Sequence, residues 1–295
     1  MNTAGVIGLG GIGGGVAQCL QRSGQLAAIF DVRSEAADKV PGAPPMSASP
    51  RDLAKASDCV LIAVLNGQQT IDVLSGPDGI LAAEKAGQTV ILLSTISMAD
   101  LKTAQDLCAD ADVKLIDCGV TNGSRSAENG LICLAGGSEA NLAAAKPVFD
   151  GFAESVIHMG GPGAGMAAKI ARNTTYFGCI RAGYEGAVIA RNYGVDLNQM
   201  REALSGDPNA GGGLEGALAM ALRPDPEGDE QETGVRHYFM GLMVKDLEVA
   251  VEEAARFGAR LPMVELILDN AQSTSGLEYP LGQPLSANNS NGESQ

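Results

Sequence analysis

Val6-Ile7-Gly8-Leu9-Gly10-Gly11-Ile12-Gly13 sets a short β-branched run directly before a Gly-x-Gly-x-x-Gly spacing. A tight turn after a strand needs the first glycine, Gly8, and a pyrophosphate needs bare backbone at the second, Gly10. Close packing of the following helix on the strand needs the third, Gly13. The pyrophosphate then rests on unpaired N–H groups at the helix N-terminus. The spacing alone is a weak signal in a chain with 39 glycines among 295 residues. Context strengthens it, because Asp31 closes the next strand candidate eighteen residues after Gly13, about where a ribose-binding acid belongs. A carboxylate there accepts hydrogen bonds from ribose hydroxyls and repels a 2′-phosphate, so NAD is favoured over NADP. Arg33, two residues on, has the charge to hold a phosphate. The alternative for Asp31 is a helix cap or a strand-end turn residue.

Outward from this motif, strand candidates recur at Gly5–Leu9, Leu26–Phe30, Cys59–Val64, Val90–Ser94, Lys114–Asp117 and Ile132–Ala135. Helix-like segments lie between them at Gly14–Ser23, Ser34–Val40, Gln68–Leu74 and Ala99–Ala109. Strand–helix alternation at this spacing predicts a parallel, doubly wound α/β sheet of Rossmann type over residues 1–162. Gly161-Pro162-Gly163 punctuates the chain, and a long bridging helix is expected over about 164–193. Further helices are expected at Asn198–Leu204, Leu214–Ala221, Gly241–Phe257 and Met263–Gln272, giving an all-helical domain over 163–280. Residues 281–295 read as a flexible tail, since Pro, Gly, Ser, Asn and Gln bury little surface.

Composition narrows the function. Thirty-five acids against twenty bases give a net charge of −15, which disfavours nucleic acid and anionic membrane as partners. No apolar run reaches bilayer length, and no basic segment precedes the first apolar residues, so a cytoplasmic address is expected. Six cysteines (19, 59, 108, 118, 133 and 179) form no Cys-x-x-Cys pair, and His158 and His237 stand far apart. Metal-free chemistry is the expectation.

A second signal is Gly163-Ala164-Gly165-Met166-Ala167-Ala168-Lys169-Ile170-Ala171-Arg172-Asn173. On a helix, Gly165, Lys169 and Asn173 share one face. An amine beside an amide suits carbonyl or alcohol chemistry, with the amine moving the proton and the amide orienting the substrate oxygen. Taken alone, a lysine on a long helix is ordinarily a solvated surface residue.

Together these stretches resemble the β-hydroxyacid dehydrogenase family, which includes 3-hydroxyisobutyrate dehydrogenases and tartronate semialdehyde reductases. Four motifs occur in order across nearly the whole chain. The N-terminal glycine motif matches, with Ile12 where methionine is usual. Ser94-Thr95-Ile96-Ser97 resembles the segment beside the nicotinamide ribose, with Met98 where proline is common. The Gly-x-Gly-x-x-x-Lys-x-x-x-Asn stretch matches completely, and Lys245-Asp246-Leu247 resembles the late Lys-Asp-Leu motif. The resemblance implies Lys169 as catalytic lysine, Asn173 as its partner, Lys245 near the active site and Asp246 in a supporting part. Relatives usually carry Asp-Ala-Pro-Val-Ser-Gly-Gly where this chain has Asp117-Cys118-Gly119-Val120-Thr121-Asn122-Gly123. Thr121, Asn122, Gly123 and Arg125 are therefore the expected contacts to the substrate anion, with an exposed-loop reading for Arg125 equally open. Asn209–Gly213 replaces a bulkier polar and aromatic segment, which points to an atypical substrate.

The expected cofactor set is Gly8, Leu9, Gly10, Gly11, Ile12, Gly13, Asp31, Val32, Arg33, Val64, Leu65, Asn66, Thr95 and Lys245. The expected activity is hydride transfer between NAD and a small hydroxy acid or its semialdehyde or keto form. Lys169 takes the hydroxyl proton in oxidation and donates it in reduction, aided by a pKa lowered through burial and neighbouring cations such as Arg172 or Lys245. A homodimer or homotetramer follows from the resemblance. The alternatives are an imine-reducing relative, which typically replaces the lysine, a decarboxylating 6-phosphogluconate-type enzyme with a longer helical region, and a non-catalytic NAD(P)-binding sensor.

Overall fold

The β-branched runs form strands where turn residues bound them, and side-chain caps start most of the helices between. The computed structural model describes residues 3–206, 223 and 228–277. Its first part runs β1 (Ala4–Ile7), α1 (Gly11–Arg22), β2 (Leu26–Phe30), α2 (Pro50–Ala56), β3 (Cys59–Ile62), α3 (Gly67–Leu74), β4 (Thr89–Leu92) and α4 (Met98–Asp110). It continues through β5 (Lys114–Thr121), β6 (Leu131–Gly136), α5 (Glu139–Phe149) and β7 (Ala153–Gly160). Then come α6 (Ala164–Asn192), α7 (Leu197–Gly206), α8 (Glu230–Arg256), α9 (Pro262–Asp269) and α10 (Ala271–Thr274). The chain divides into two compact units, with the break between Ile170 and Ala171 inside α6.

The first unit is one seven-stranded sheet in the order β2-β1-β3-β4-β5-β6-β7. Strands β2 through β5 pair in parallel, so the order reverses at β1, which lies between β2 and β3. Buried Val6, Leu9, Val16, Leu20, Ile29, Leu61, Ile91, Ile116, Phe149 and Phe152 belong to its core. The sheet departs from the wholly parallel one expected, because β5 and β6 are antiparallel. Their connection, residues 122–130, holds only a 3₁₀ turn at Gly123–Glu128. A parallel pair needs a crossover of about a dozen residues or more.

Other differences are local. β7 was not expected; it is an edge strand with Val156, Ile157 and Met159 exposed, so no buried alternation marks it. α2 and α5 were also not expected, although Ser49 and Ser138 cap them, accepting from the Asp52 and Asn141 N–H groups at 3.1 Å each. Ser34–Lys39 is a 3₁₀ turn rather than an α-helix. α8 starts at Glu230, well before the expected Gly241, behind an Asp229 cap that accepts from the Glu232 N–H at 2.9 Å. The expected helix Leu214–Ala221, the segment Asn209–Gly213 and the tail 281–295 lie outside the described residues.

Strand β5 carries the geometry that matters most. Side chains alternate along a strand, so Cys118 and Val120 enter the core while Asp117, Gly119 and Thr121 share the other face. The buried Asp117 carboxylate accepts the N–H groups of Gly163 at 2.7 Å and Met166 at 2.8 Å. It thereby caps α6 from a strand distant in sequence. The start of α6 lies so close to β5 and β6 that a Cβ on Gly165 would collide with the Asp117 and Leu134 carbonyl oxygens.

In the second unit, Phe177 of α6, Met243 and Leu247 of α8, and Val264 and Ile267 of α9 make one cluster. Ala187, Ala190 and Leu197 join α6 to α7. Arg236 is fully buried, donating to Glu232 at 2.9 Å and to the Gly276 carbonyl at 3.0 Å.

Gly165→Ala should lower stability by roughly 2 kcal/mol or more, because the obstructing atoms are backbone and cannot swing aside. Gly161→Ala, whose Cβ meets open space, should melt near wild type. Thermal unfolding of both variants decides it, and equal melting temperatures would contradict this packing.

Candidate active site

The glycine motif forms the turn its spacing implies. Gly8 sits at φ +85°, a conformation a side chain rarely adopts, and its N–H donates to the Phe30 carbonyl at 2.8 Å. A Cβ on Gly13 would collide with the Gly8 carbonyl oxygen, so α1 crosses β1 at the closest possible approach. A Cβ on Gly10 or Gly11 would meet nothing within 4 Å. The space above the first turn of α1 is open to a ligand's approach.

Capping distinguishes α1 from its neighbours. α2, α3, α4 and α5 begin behind Ser49, Asn66, Ser97 and Ser138, each bonded to an N–H of its helix. Asp117 serves α6. α1 starts at Gly10 with no side-chain cap. Its first-turn N–H groups and helix dipole therefore present an anion site of the kind a pyrophosphate fits.

Asp31 follows β2, and its carboxylate is almost fully buried. It accepts from the Leu9 N–H at 2.7 Å, from the Arg33 N–H at 2.9 Å, and from the Arg33 guanidinium at 3.2 and 3.3 Å. Burial pushes its pKa up, but the Arg33 and Leu9 hydrogen bonds outweigh burial and hold it below the usual carboxylate value. Asp31 thus braces the glycine turn, and Arg33 shares its charge. Val32 is exposed beside it.

Val64, Leu65 and Asn66 follow β3, across the point where strand order reverses, which is where open α/β sheets place ligands. The Val64 N–H donates to the Ser94 hydroxyl at 2.8 Å, tying this turn to the one after β4 that carries half-buried Thr95. Leu65 is exposed, and Asn66 is the cap of α3.

Lys169 is buried in the first unit. A Cβ on Gly119 would overlap the Lys169 Cβ, so the lysine stem rests on bare β5 backbone. Thr121 ends β5. Asn122 adopts a left-handed conformation, φ +65°, and its amide donates to the Gly130 carbonyl at 2.9 Å. Gly123 faces the Ile12 side chain. Arg125, half exposed, is paired with Glu154 at 3.1 Å and Glu128 at 3.4 Å. The structure brings Gly123 to Ile12 at the start of α1, holds Asn122 within the loop, and pairs Arg125 with the loop's Glu128 and with Glu154 of β7.

In the second unit, Asn173 is nearly fully buried and donates its amide to Asp246 at 2.6 Å. Its amide oxygen accepts from Arg172 at 3.0 Å, and Arg172 lies 4.4 Å from the Tyr176 ring centroid. Lys245 pairs with the other Asp246 oxygen at 2.8 Å. Asp246 thus holds both the amide and the ammonium expected at an active centre. Spacing had not assigned the parts of Asp117, Gly119 and Ser94. Among the described residues, no group of three or more His, Cys, Asp or Glu could hold a metal ion, and no helix is long and apolar enough to cross a membrane.

Residues 3–161 match the family model described as the NAD binding domain of 6-phosphogluconate dehydrogenase. Residues 163–276 match the one described as NAD-binding of NADP-dependent 3-hydroxyisobutyrate dehydrogenase. L-threonate dehydrogenase of Escherichia coli is 29% identical over 279 residues, spanning 93% of this chain and 90% of its own. NAD-dependent L-serine dehydrogenase of Pseudomonas aeruginosa is 27% identical over 268 residues, spanning 89% and 88%. Among solved structures, 3-hydroxyisobutyrate dehydrogenase of Mycobacterium tuberculosis with L-serine is similar at a TM-score of 0.77 and 25% identity, over 92% of each chain.

The Asp31 brace is measurable. A depressed folded-state pKa stabilises the fold above the ordinary carboxyl value, and that contribution is lost as pH falls through the folded value. Arg33→Ala removes the guanidinium while the Leu9 and residue-33 N–H bonds stay, so it should raise the pH at which the Asp31 carboxyl titrates by NMR. No upward move would show that Arg33 does not hold it.

Proposed function

The chain belongs to the β-hydroxyacid dehydrogenase family and is an NAD(P)-dependent oxidoreductase acting on CH–OH, and from that premise we propose the part each residue plays. Substrate and product are a small carboxylate-bearing hydroxy acid and its keto or semialdehyde form. The single observation that carries the assignment is Lys169, buried with its stem on Gly119 of β5. Nothing in dinucleotide binding calls for an amine there.

When bound, the nicotinamide supplies the hydride acceptor or donor at the carbinol carbon. Lys169 takes the hydroxyl proton in oxidation and returns it to the nascent alkoxide in reduction. Asn173, one helical turn on, orients the substrate oxygen, and Asp246 fixes the amide that does so. Thr121 and Gly123 receive the substrate carboxylate. Asn122 and Arg125 shape that loop through Gly130, Glu128 and Glu154. The relatives named for threonate and serine support a small polar substrate of this class. NAD is preferred to NADP because Asp31 keeps its charge, and Arg33 softens the preference by sharing it. A cytoplasmic homodimer or homotetramer completes the proposal, on the resemblance to the family.

Lys169→Ala should keep NADH affinity within about twofold while turnover on a panel of L-threonate, L-serine and 3-hydroxyisobutyrate falls at least about a hundredfold. Lys169→Arg should not rescue, because a guanidinium stays protonated. Retention of more than about a tenth of wild-type turnover, with chemistry rate-limiting, would remove the lysine from the proton path. Asp31→Asn should shift the ratio of NAD to NADP affinity toward NADP, and an unchanged ratio in paired titrations would sink the Asp31 reading.

A further inference from the structure

The first turn of α1 is built from the poorest of ordinary helix formers. Gly11, Gly13, Gly14 and Gly15 each give up more backbone freedom than alanine would, at roughly 1 kcal/mol apiece in a helix interior. No side chain caps this turn. Left alone, it would fray, and a pyrophosphate would bind only after ordering it.

The turn is held from outside. The 3₁₀ segment Gly123–Glu128 lies along the face of α1 made by Gly11, Gly15, Cys19 and Arg22. Ser126 is buried there and donates its hydroxyl to the Gly11 carbonyl at 2.8 Å. Gly15 makes the approach possible, since a Cβ on it would overlap the Ser126 hydroxyl and come within 2.7 Å of the Ser126 Cβ. Farther along the face, the Cys19 thiol donates to the Ser126 carbonyl at 3.3 Å, and Arg22 donates to the Ala127 carbonyl at 2.6 Å. Cys19 and Arg22 grip the segment's backbone. Gly123 meets the Ile12 side chain, and Ser126 makes the segment's hydrogen bond to the backbone of the turn that carries the ligand-facing N–H groups.

Resting on the dinucleotide reading above, we propose that Ser126 is a positioning residue for the cofactor. Its hydroxyl fixes the Gly11 carbonyl and so pre-orders the N–H groups that receive the pyrophosphate. The ordering is then present before the ligand arrives, and affinity rises by what the ligand no longer has to supply.

Titration calorimetry of the full chain with NADH and with NADPH tests this. Ser126→Ala should weaken the tighter-binding dinucleotide about fivefold, the net worth of one hydrogen bond. Ser124→Ala, an exposed neighbour in the same segment, should leave it unchanged. At saturating dinucleotide the turnover of Ser126→Ala should match wild type. Ser126→Gly, which makes no steric demand, should repeat the result and serves where the alanine variant folds poorly. A lower melting temperature with dissociation constants within about 1.5-fold of wild type in both Ser126 variants would overturn the proposal and leave Ser126 a packing residue. If wild type bound neither dinucleotide, the cofactor reading itself would fall, and this proposal with it.

Discussion

A carboxylate on one strand satisfying the start of a helix 46 residues later is the interaction on which the rest depends. Asp117 is buried, so its charge is tolerable only with donors in contact, and the Gly163 and Met166 N–H groups are those donors. The helix gains a cap, and the buried acid gains two hydrogen-bond donors. Neither is stable in that place without the other. This bond sets the start of α6 against β5, and Lys169 inherits its position from it.

Two close approaches then each depend on a bare glycine. α1 reaches β1 only because Gly13 offers no side chain toward the Gly8 carbonyl, and α6 reaches β5 and β6 only because Gly165 offers none toward Asp117 and Leu134. Gly119 completes the second contact by leaving room for the Lys169 stem. The two helices differ at their starts. α6 is capped by a carboxyl group from within the protein, whereas α1 starts at Gly10 with no side-chain cap.

Local signals carried most of this into the sequence. The Gly8–Gly13 turn, the acid at the end of β2 and the helical spacing of Gly165, Lys169 and Asn173 are all short-range patterns, and each was legible. Missed elements fall into two kinds. α2, α5 and the early start of α8 had readable signals in Ser49-Pro50, Ser138 and Asp229 with Glu232, but Pro147 inside α5 and the polar first turns obscured the apolar period. β7 had no such signal, because an exposed edge strand need not alternate. The site contacts that escaped notice, Asp117 to α6, Ser94 to Val64 and Asn173 to Asp246, are side-chain bonds between distant segments, and no spacing rule encodes them. The antiparallel turn at β5–β6 was legible in principle from the shortness of residues 122–130.

The Asp117 cap also settles how short the first half can be when it is separated from the second. The two family models abut near residue 162, which looks like a natural end for an isolated half. A chain ended there lacks the Gly163 and Met166 N–H groups and leaves the buried Asp117 carboxyl without its two donors. As a separate module, the dinucleotide-binding half therefore has to run through the first turn of α6, past Met166. A relative's second half joined at 162 restores the bonds, because backbone N–H groups come with any residue but proline.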